Sequence, residues 1–459
     1  MKNEKMIYII AIALAVVINA FSLDLPFFWD TILTSTITQY FFENGLQNLI
    51  TPSQFDAGHP PLFYFYITCF YHLLGKSLFA AHVAMLPFTL LGILSFIKIL
   101  KHFQFAKGQQ YLGLILFFSI PAVITQYCMI SYDAVLLSLY LSALLCILKN
   151  KKILLSIILI VIVGVSLRGL FCLASLSVTV FFLENKNIKL WLKWNLYFIP
   201  SLLIITIWIY YHYTQTGWFL STNTDAWSEQ RGIVNAFGVF KNSVSIARCF
   251  FDVGIIILSL LSIFYFMQKR KFDHYTLFWL IPFIIFSIAF LPFKNPINHR
   301  YFLIVYVLML FPVIQFLGNK KAVYTVITVC ILILGHFLIY PVPVSNGWDC
   351  TLEQTSYTKA RDDFFNSYVR DFHVDRFNIG TVFPMDASRK QTDMMDDTIR
   401  MINVNGRSMD SIPYVLFSNV GNDFSDEQIQ QLKNWTSVYQ TKKGLVELIL
   451  FRNPNFHSK

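Results

Sequence analysis

Charged residues are scarce in this sequence: only 14% of its 459 residues are Asp, Glu, Lys or Arg. Soluble domains carry about 25% charged residues, so this scarcity excludes an ordinary soluble globular protein. Hydrophobic residues make up 56% of the chain, which excludes a disordered or collagen-like protein. The composition is that of a polytopic membrane protein whose apolar surface faces lipid.

Several kinds of functional motif are also missing. The seven Cys are scattered and form no CxxC pair, which argues against a structural zinc site and against a disulfide scaffold. The sequence contains no glycine-rich nucleotide-binding loop. It also contains no evident internal repeat, which weakens the case for an inverted-repeat transporter.

The positive charges are unevenly distributed along the chain. Residues 1–340 contain 23 Lys and Arg against 11 Asp and Glu, whereas residues 341–459 contain 13 against 15. The formal net charge of +10 therefore belongs to the apolar part, where the positive-inside rule expects an excess of Lys and Arg. A basic soluble protein would suggest nucleic acid as a partner, but this distribution predicts no nucleic-acid partner.

The apolar runs predict a polytopic α-helical membrane protein with eleven spans, near residues 6–23, 78–97, 110–128, 133–148, 153–167, 169–183, 194–213, 249–267, 275–292, 300–317 and 322–340. The run 61–75 is short and rich in Tyr, so we expect a surface helix on the outer side of the membrane. With that placement, the basic residues of the short loops share one side, which is predicted to be cytoplasmic together with the N-terminus. These are Lys2, Lys5, Lys98, Lys101, Lys107, Lys149, Lys151, Lys152, Lys186, Lys189, Lys193, Lys269, Arg270, Lys271, Lys320 and Lys321.

Two domains follow from this topology: a membrane module over 1–340, with an outer loop at 24–77, and an extracytoplasmic α/β domain over 341–459. In the second domain we expect a helix near 353–371 and strands near 378–383 and 413–418. Ser425 and Gln428 form a capping-box pattern ahead of a helix over 426–435, and a hairpin is expected over 437–451. The same count of crossings places a turn at Arg168 and Gly169 on the outer face.

The outer loop carries acids and no Lys or Arg between residues 24 and 75. Its stretch 30–44 has a helical pattern that ends at Gly45, a typical C-cap residue. Asp30 is then either the N-cap of that helix or a carboxylate that acts as a base on an acceptor hydroxyl or amine. Further along, Asp56 and His59 precede two prolines at the entry to the surface helix. His59 is either an interfacial histidine or a ligand for a phosphate oxygen.

Further charged residues map to the same outer side. Asp133 follows the third span and is either a helix cap or a second functional acid. Arg168 is either a residue of the functional site or an arginine whose side chain snorkels to the membrane surface. Arg248 is either a residue of the functional site or the partner of Asp252 in an ion pair within one helix. A basic cluster precedes a later span and consists of Lys294, His299 and Arg300.

The order of these segments resembles a family. The segments are WDTILTSTITQYFFENGL, FDAGHPPLFYFYI, GKSLFAAHVAMLPFTLLGIL, ISYDAVLLSLYLSALL, GVSLRGLF and FKNPINHRYFLIVYVLMLFP. In this order and spacing they resemble the GT-C membrane glycosyltransferases of the protein-mannosyltransferase and aminoarabinose-transferase type. The resemblance covers about residues 5–340, and the tail matches no motif.

The resemblance implies an enzyme that takes a sugar from a polyprenyl-phosphate carrier and passes it to a lipid, glycan or protein acceptor on the outer side of the membrane. Asp30 falls where the family has its catalytic Asp, but Thr31 follows where the family usually has Glu; Glu43 or Asp56 are candidates for that missing role. Asp133 matches a second-loop acid, and His59 matches a residue that contacts the lipid phosphate.

The remaining matches are basic. Arg168 falls where the family often has Lys before Gly, and Lys294 and Arg300 match basic residues before a later span. His299 belongs to the same segment, and Arg248 is a looser positional match. The resemblance also implies a bacterial plasma (inner) membrane location, and the outer acids are compatible with a divalent metal ion although no His/Cys metal cluster is present.

Other classes of function are compatible with parts of this pattern. A lipid or glycan transporter or flippase would need charges along a path inside the spans, whereas here the charges collect on one face. A ligase that moves a whole glycan would use the same fold and similar residues. A non-catalytic membrane protein that has kept the GT-C fold is the third alternative, since Thr31 replaces the expected Glu.

Overall fold

The computed structural model describes residues 2–28, 30–45, 47, 49–219, 232–252, 254–294, 296–318, 320–337, 348–369, 379–382, 401–404, 407–420 and 424–456. The chain divides into two compact units. The first unit comprises Met1–Leu23 and Ile37–Gly335, and the second comprises Asp24–Thr36 and His336–Lys459. The expected domain boundary at residue 340 lies outside the described residues, and the outer-loop segment Asp24–Thr36 groups with the C-terminal part of the chain.

The first unit is helical. Its helices are α1 (Lys2–Ser22), the end of α2 (Thr31–Asn44), α3 (Leu62–Leu74), α4 (Leu78–His102), α5 (Lys107–Ser119), α6 (Pro121–Cys128), α7 (Tyr132–Leu148), α8 (Lys152–Val165), α9 (Gly169–Leu183), α10 (Ile188–Asn195), α11 (Ile199–Thr216), α12 (Ala236–Phe251), α13 (Ile256–Lys269), α14 (His274–Phe290), α15 (Leu303–Leu317) and α16 (Ala322–Leu334). A 3₁₀ turn at His299–Phe302 leads into α15.

Among the described residues, three helices are by length and composition able to cross a membrane: Lys5–Ser22, Leu78–His102 and His299–Leu317. Pairs of helices joined at a bend form three further apolar stretches, and six shorter apolar helices accompany them. The α15 helix is buried along nearly its whole length and contacts α5, α7, α13 and α14, so it lies at the centre of the first unit. The number of crossings remains a prediction, and positions 338–340 of the last predicted span lie outside the described residues.

Three of the predicted spans are divided between two helices, and one of these is 249–267, whose residues belong to α12 and α13. The run 110–128 is broken at Ile120, and the two halves, α5 and α6, are bent by 68°. Pro121 has no N–H and disfavours helical backbone at the residue before it, and Ile120 is accordingly extended at φ −71° and ψ 116°. The run predicted over 194–213 is divided between α10 and α11, which are bent by 51°.

Other local predictions are confirmed. The apolar stretch 153–183 forms two helices that are interrupted at residues 166–168, next to the predicted turn at Arg168 and Gly169. The predicted helix over 30–44 is α2, and Gly45 follows it with φ +76°, a backbone conformation that favours glycine. The run 61–75 forms α3. Its position relative to a membrane stays a prediction.

The second unit contains a five-stranded sheet with strand order β2-β1-β3-β5-β4. The strands are β1 (Ile379–Thr381), β2 (Ile402–Asn403), β3 (Tyr414–Ser418), β4 (Thr436–Lys443) and β5 (Val446–Arg452). The sheet is mixed, because β1 pairs in parallel with β2 and β3, whereas β5 pairs antiparallel with β3 and β4. The sheet carries two helices, α17 (Gln354–Asp363), which continues into a π-helical turn, and α18 (Asp426–Lys433).

The elements predicted for the tail are confirmed where they are described. The Ser425 hydroxyl accepts a hydrogen bond from the Gln428 backbone N–H at 3.2 Å, and the Gln428 side chain accepts one from the Ser425 N–H at 3.0 Å, as a capping box requires. The predicted hairpin is β4 and β5, joined at Gly444 with φ +56°. A hydrophobic core between α18 and the sheet includes Trp435.

Candidate functional site

The first unit brings three of the predicted site residues into direct contact. Asp133 lies in the first turn of α7, because Ser131 caps that helix and accepts a hydrogen bond from the Asp133 N–H. Arg168 Nη1 donates a hydrogen bond to Asp133 Oδ1, and Arg300 Nε lies 3.8 Å from Asp133 Oδ2. The side chains of Asp133 and Arg300 are 7% and 6% exposed, so these charges are held largely away from water. One carboxylate faces two guanidinium groups, and the cluster carries a net positive charge.

We call Asp133, Arg168 and Arg300 the arginine cluster. Two tyrosines contact it. The Tyr132 hydroxyl accepts a hydrogen bond from Arg168 Nη2 at 2.9 Å. The Arg168 guanidinium also lies 4.2 Å from the centre of the Tyr301 ring, a distance typical of a cation–π contact. Both tyrosines adjoin a predicted site residue in sequence, but nothing in the sequence pattern distinguishes them from interfacial tyrosines.

A partly open recess lies beside the arginine cluster. Its polar wall is formed by Asp133, Arg168, Arg300 and Tyr301, and its apolar wall includes the aromatic rings of Phe171, Phe286 and Phe290. A charged end and an apolar wall in one recess suit an amphiphilic ligand with an anionic group.

His59 contacts the Tyr132 ring, and Tyr132 in turn contacts Arg168 of the arginine cluster. The centres of the His59 and Tyr132 rings are 5.7 Å apart and the rings meet edge to face. His59 is half-buried and follows a turn in which Asp56 Oδ1 accepts a hydrogen bond from the Gly58 N–H at 2.7 Å. Asp56 itself is buried and contacts His212 of α11, with 2.7 Å between Oδ2 and Nε2. The sequence pattern contains no signal for His212, which is 156 residues away from Asp56.

The other predicted basic residues have different surroundings. His299 Nε2 lies 3.1 Å from Asp252 Oδ2, and both side chains are buried. Asp252 is the C-cap of α12 and has an extended backbone, so Arg248 and Asp252 do not both lie within the helix; their ion pair stays a prediction. Arg248 is half-buried in the last turn of α12. Lys294 is exposed, and its backbone N–H donates to the Gly232 carbonyl oxygen at 2.9 Å.

Asp30 belongs to the second unit and directly precedes α2. The residue after it, Thr31, is buried and closes the turn: its hydroxyl donates to the Phe28 carbonyl oxygen at 2.7 Å and accepts from the Phe28 N–H at 2.8 Å. Within the same unit the Phe28 ring packs on Tyr357 of α17, with ring centres 5.0 Å apart. Thr31 therefore shapes the backbone that carries Asp30. Of the two acids considered for the missing Glu, Glu43 is exposed and accepts a hydrogen bond from Gln39.

A metal site is not evident in the part of the chain that the structure describes. No group of three or more His, Cys, Asp or Glu side chains there is arranged to hold a metal ion. Three of the acids in the candidate site region are paired with basic side chains: Asp133 with arginine, and Asp56 and Asp252 with histidine.

Comparison with known proteins gives a likeness in structure only. No protein-family model matches the chain, and no curated protein sequence matches it. The fold is similar to the crystal structure of ArnT from Cupriavidus metallidurans bound to undecaprenyl phosphate, with a TM-score of 0.55 and 13% identity over 98% of this chain and 99% of that chain. The apo structure of the same protein gives a TM-score of 0.57 with 13% identity, over 96% and 97% of the two chains.

The likeness spans both units, and it confirms the fold that the sequence resemblance implies. Together with the apolar helices and the mixed sheet, it establishes the architecture: this chain is a polytopic α-helical membrane protein of the GT-C fold with a C-terminal α/β domain.

Proposed function

We propose that this protein is a membrane glycosyltransferase that moves a sugar from a polyprenyl-phosphate carrier to a lipid, glycan or protein acceptor on the outer side of a bacterial plasma membrane. The ArnT with the similar fold was crystallised with undecaprenyl phosphate, a carrier of this class. The N-terminus then lies in the cytoplasm and the C-terminal domain outside it, as the distribution of Lys and Arg predicts.

The observation that carries the proposal is the arginine cluster beside its recess. A guanidinium has five N–H donors in a planar fork, and the hydrogen bonds to Asp133 and Tyr132 engage two of those on Arg168. The surplus positive charge suits a phosphate whose charge grows as the glycosidic bond breaks. Arg168 and Arg300 would therefore stabilise the departing lipid phosphate, and the effect is larger in a water-poor site than in bulk water.

The acceptor needs a base, and Asp30 is the residue to which we assign this role. A single displacement in which Asp30 removes the acceptor proton, while the phosphate leaves from the opposite face, inverts the configuration at the anomeric carbon. Asp133 has a different role in this scheme, because it holds Arg168 in place and lies close to Arg300. The His59 ring contacts Tyr132 beside the same cluster, and His59 would bind a phosphate oxygen.

The proposal is tested with the full-length protein, a set of undecaprenyl-phosphate sugars, and candidate acceptors, with mass spectrometry of the released undecaprenyl phosphate. We expect release with one of these donors, and we expect Asp30→Asn to reduce the rate by about 10²-fold or more. Asp133→Asn should also reduce it, because Arg168 loses its ionic partner. Asp426→Asn, which changes an exposed acid in the first turn of α18, is the matched control.

Three outcomes would contradict the proposal. Full activity in folded Asp30→Asn and Asp133→Asn variants would remove the catalytic assignment. Transbilayer movement of an intact undecaprenyl-phosphate sugar in proteoliposomes, with no cleavage of any donor, would identify a flippase. Retention of the anomeric configuration, or a trapped covalent glycosyl-enzyme, would exclude single displacement.

A further inference from the structure

The buried pair of Asp56 and His212 joins two distant parts of the first unit. Asp56 lies in the loop between α2 and α3, and His212 lies in the last turns of α11. Their contact of 2.7 Å is short, and the side chains are only 4% and 5% exposed. A buried carboxylate requires a partner, because leaving it uncompensated is strongly destabilising. The contact therefore fixes the loop to α11.

The geometry of Asp56 indicates a role in shaping the loop. One carboxylate oxygen faces His212, and the other accepts a hydrogen bond from the Gly58 N–H. Gly58 has φ +64°, the left-handed region that favours glycine, so the carboxylate closes a tight turn directly before His59. Both oxygens are thus engaged with the protein itself, which argues that Asp56 determines where His59 lies.

His212 is itself oriented by its neighbours on α11. The Thr216 hydroxyl lies 3.4 Å from His212 Nδ1, and the Trp208 ring lies against the imidazole with ring centres 5.0 Å apart. A carboxylate can only accept a hydrogen bond, so His212 donates to Asp56 through its Nε2 N–H. A second recess is lined by residues that include Asp56, His59, Trp208 and His212.

We propose that His212 is a positioning residue for the lipid-phosphate site. It acts through Asp56 on the loop that carries His59, and the His59 ring meets Tyr132, whose hydroxyl accepts from Arg168. This chain of contacts connects α11 with the arginine cluster. The inference rests on the proposed function, since it concerns the binding of the same lipid phosphate.

The experiment measures the dissociation constant of undecaprenyl phosphate for the full-length protein in detergent, by native mass spectrometry. We expect His212→Leu, which removes the donor to Asp56, to weaken binding by about tenfold. His212→Gln places an amide N–H near the position of Nε2, and it should keep the dissociation constant within about threefold of the original. Tyr211→Leu, an exposed neighbour on the same helix, is the matched control and should bind normally.

A double-mutant cycle separates positioning from a general loss of stability. If His212 acts through His59, then His212→Leu should have little further effect in a His59→Ala background, whereas independent effects would add. Should His212→Leu fail to fold, His212→Asn replaces it, because the shorter amide does not reach Asp56 and should also weaken binding.

The possible failures are distinguishable. A folded His212→Leu or His212→Asn variant that binds undecaprenyl phosphate as tightly as the unaltered protein would overturn the inference and leave the proposed function intact. Additive effects of His212→Leu and His59→Ala would overturn it too. If the unaltered protein itself does not bind undecaprenyl phosphate, the proposed function fails, and the positioning role fails with it.

Discussion

At the scale of the residue, the candidate site consists of one carboxylate between two guanidinium groups, which leaves an excess of positive charge held largely away from water. Arg168 is held by Asp133 and by the Tyr132 hydroxyl, and it also lies against the Tyr301 ring. These contacts fix the plane of the guanidinium. A fixed plane matters for a phosphate ligand, because bidentate recognition depends on the direction of the N–H groups and not on charge alone.

Arg168→Lys tests this geometric argument. The ammonium keeps the charge but has neither the planar fork nor the stacking surface of the guanidinium, so we expect binding of undecaprenyl phosphate to weaken by about tenfold or more. Native mass spectrometry of the full-length protein gives the dissociation constants. Arg270→Lys, the same change at an exposed helix end, should have no effect. Equal affinity in Arg168→Lys would mean that charge alone suffices.

Thr31 provides a second test at this scale. The glycosyltransferases that the sequence resembles usually have Glu at this position, but here the buried Thr hydroxyl makes two hydrogen bonds to the Phe28 backbone. We therefore expect Thr31→Glu to lower the rate of sugar transfer instead of raising it, because a carboxylate would be buried and the turn before α2 would lose both bonds. Thr31→Val should lower the rate as well, and Thr36→Val in the same helix serves as its control. An increased rate in Thr31→Glu would show that the side chain at this position takes part in the chemistry.

At the scale of the element, the breaks between helices place the side chains of the candidate site. Ser131 caps α7 and fixes Tyr132 and Asp133 in its first turn, while Arg168 occupies the short interruption between α8 and α9. Arg300 lies in the 3₁₀ turn before α15. The three charged side chains of the cluster therefore come from three separate helix ends. None of them places a charge in the middle of an apolar helix.

Helix α17 of the second unit has a comparable role for the segment that carries Asp30. Tyr357 is fully buried and packs on Phe28, so Tyr357→Ala should destabilise the packing of this segment by about 3 kcal/mol or more. We expect a lower maximal rate of transfer with an unchanged affinity for undecaprenyl phosphate. Tyr357→Phe keeps the ring and should retain most of the rate. A loss of donor affinity in Tyr357→Ala, with an unchanged maximal rate, would contradict this assignment.

At the scale of the whole molecule, the fold is similar to that of ArnT although only 13% of the aligned residues are identical. A membrane imposes the same demands on both chains: helical backbone in the apolar region and charges at its surfaces. These demands constrain the class of residue at each position more than its identity, which is how a fold persists at low sequence identity.

The predicted topology is tested with reporter fusions. Green fluorescent protein fused after Lys271 should fluoresce, because that loop is predicted to be cytoplasmic, and alkaline phosphatase fused after Lys459 should be active outside the cytoplasm. Alkaline phosphatase fused after Gly45 should be active whether or not the run 61–75 crosses the membrane, and it serves as the control. If 61–75 crosses, the results at Lys271 and Lys459 will be reversed.

The sequence predicted much of the local structure, for physical reasons that act over a few residues. The Ser425 and Gln428 capping box, the end of α2 at Gly45 and the interruption near Arg168 depend on neighbouring residues only. The apolar run across Ile120 predicts one continuous span although Pro121 disfavours it, because a hydropathy window averages over a single proline.

The sequence by itself determined that this chain is a membrane protein, with sparse charges gathered away from its apolar runs, and it identified Asp133, Arg168 and Arg300 as candidates. Only the tertiary structure decided which charges meet: Asp133 with an arginine 35 residues away, and Asp56 with a histidine 156 residues away. The hydrophobic pattern specifies that a helix forms and which face is apolar. Which helix ends lie together depends on the packing of many side chains at once, and no short stretch of sequence contains that information.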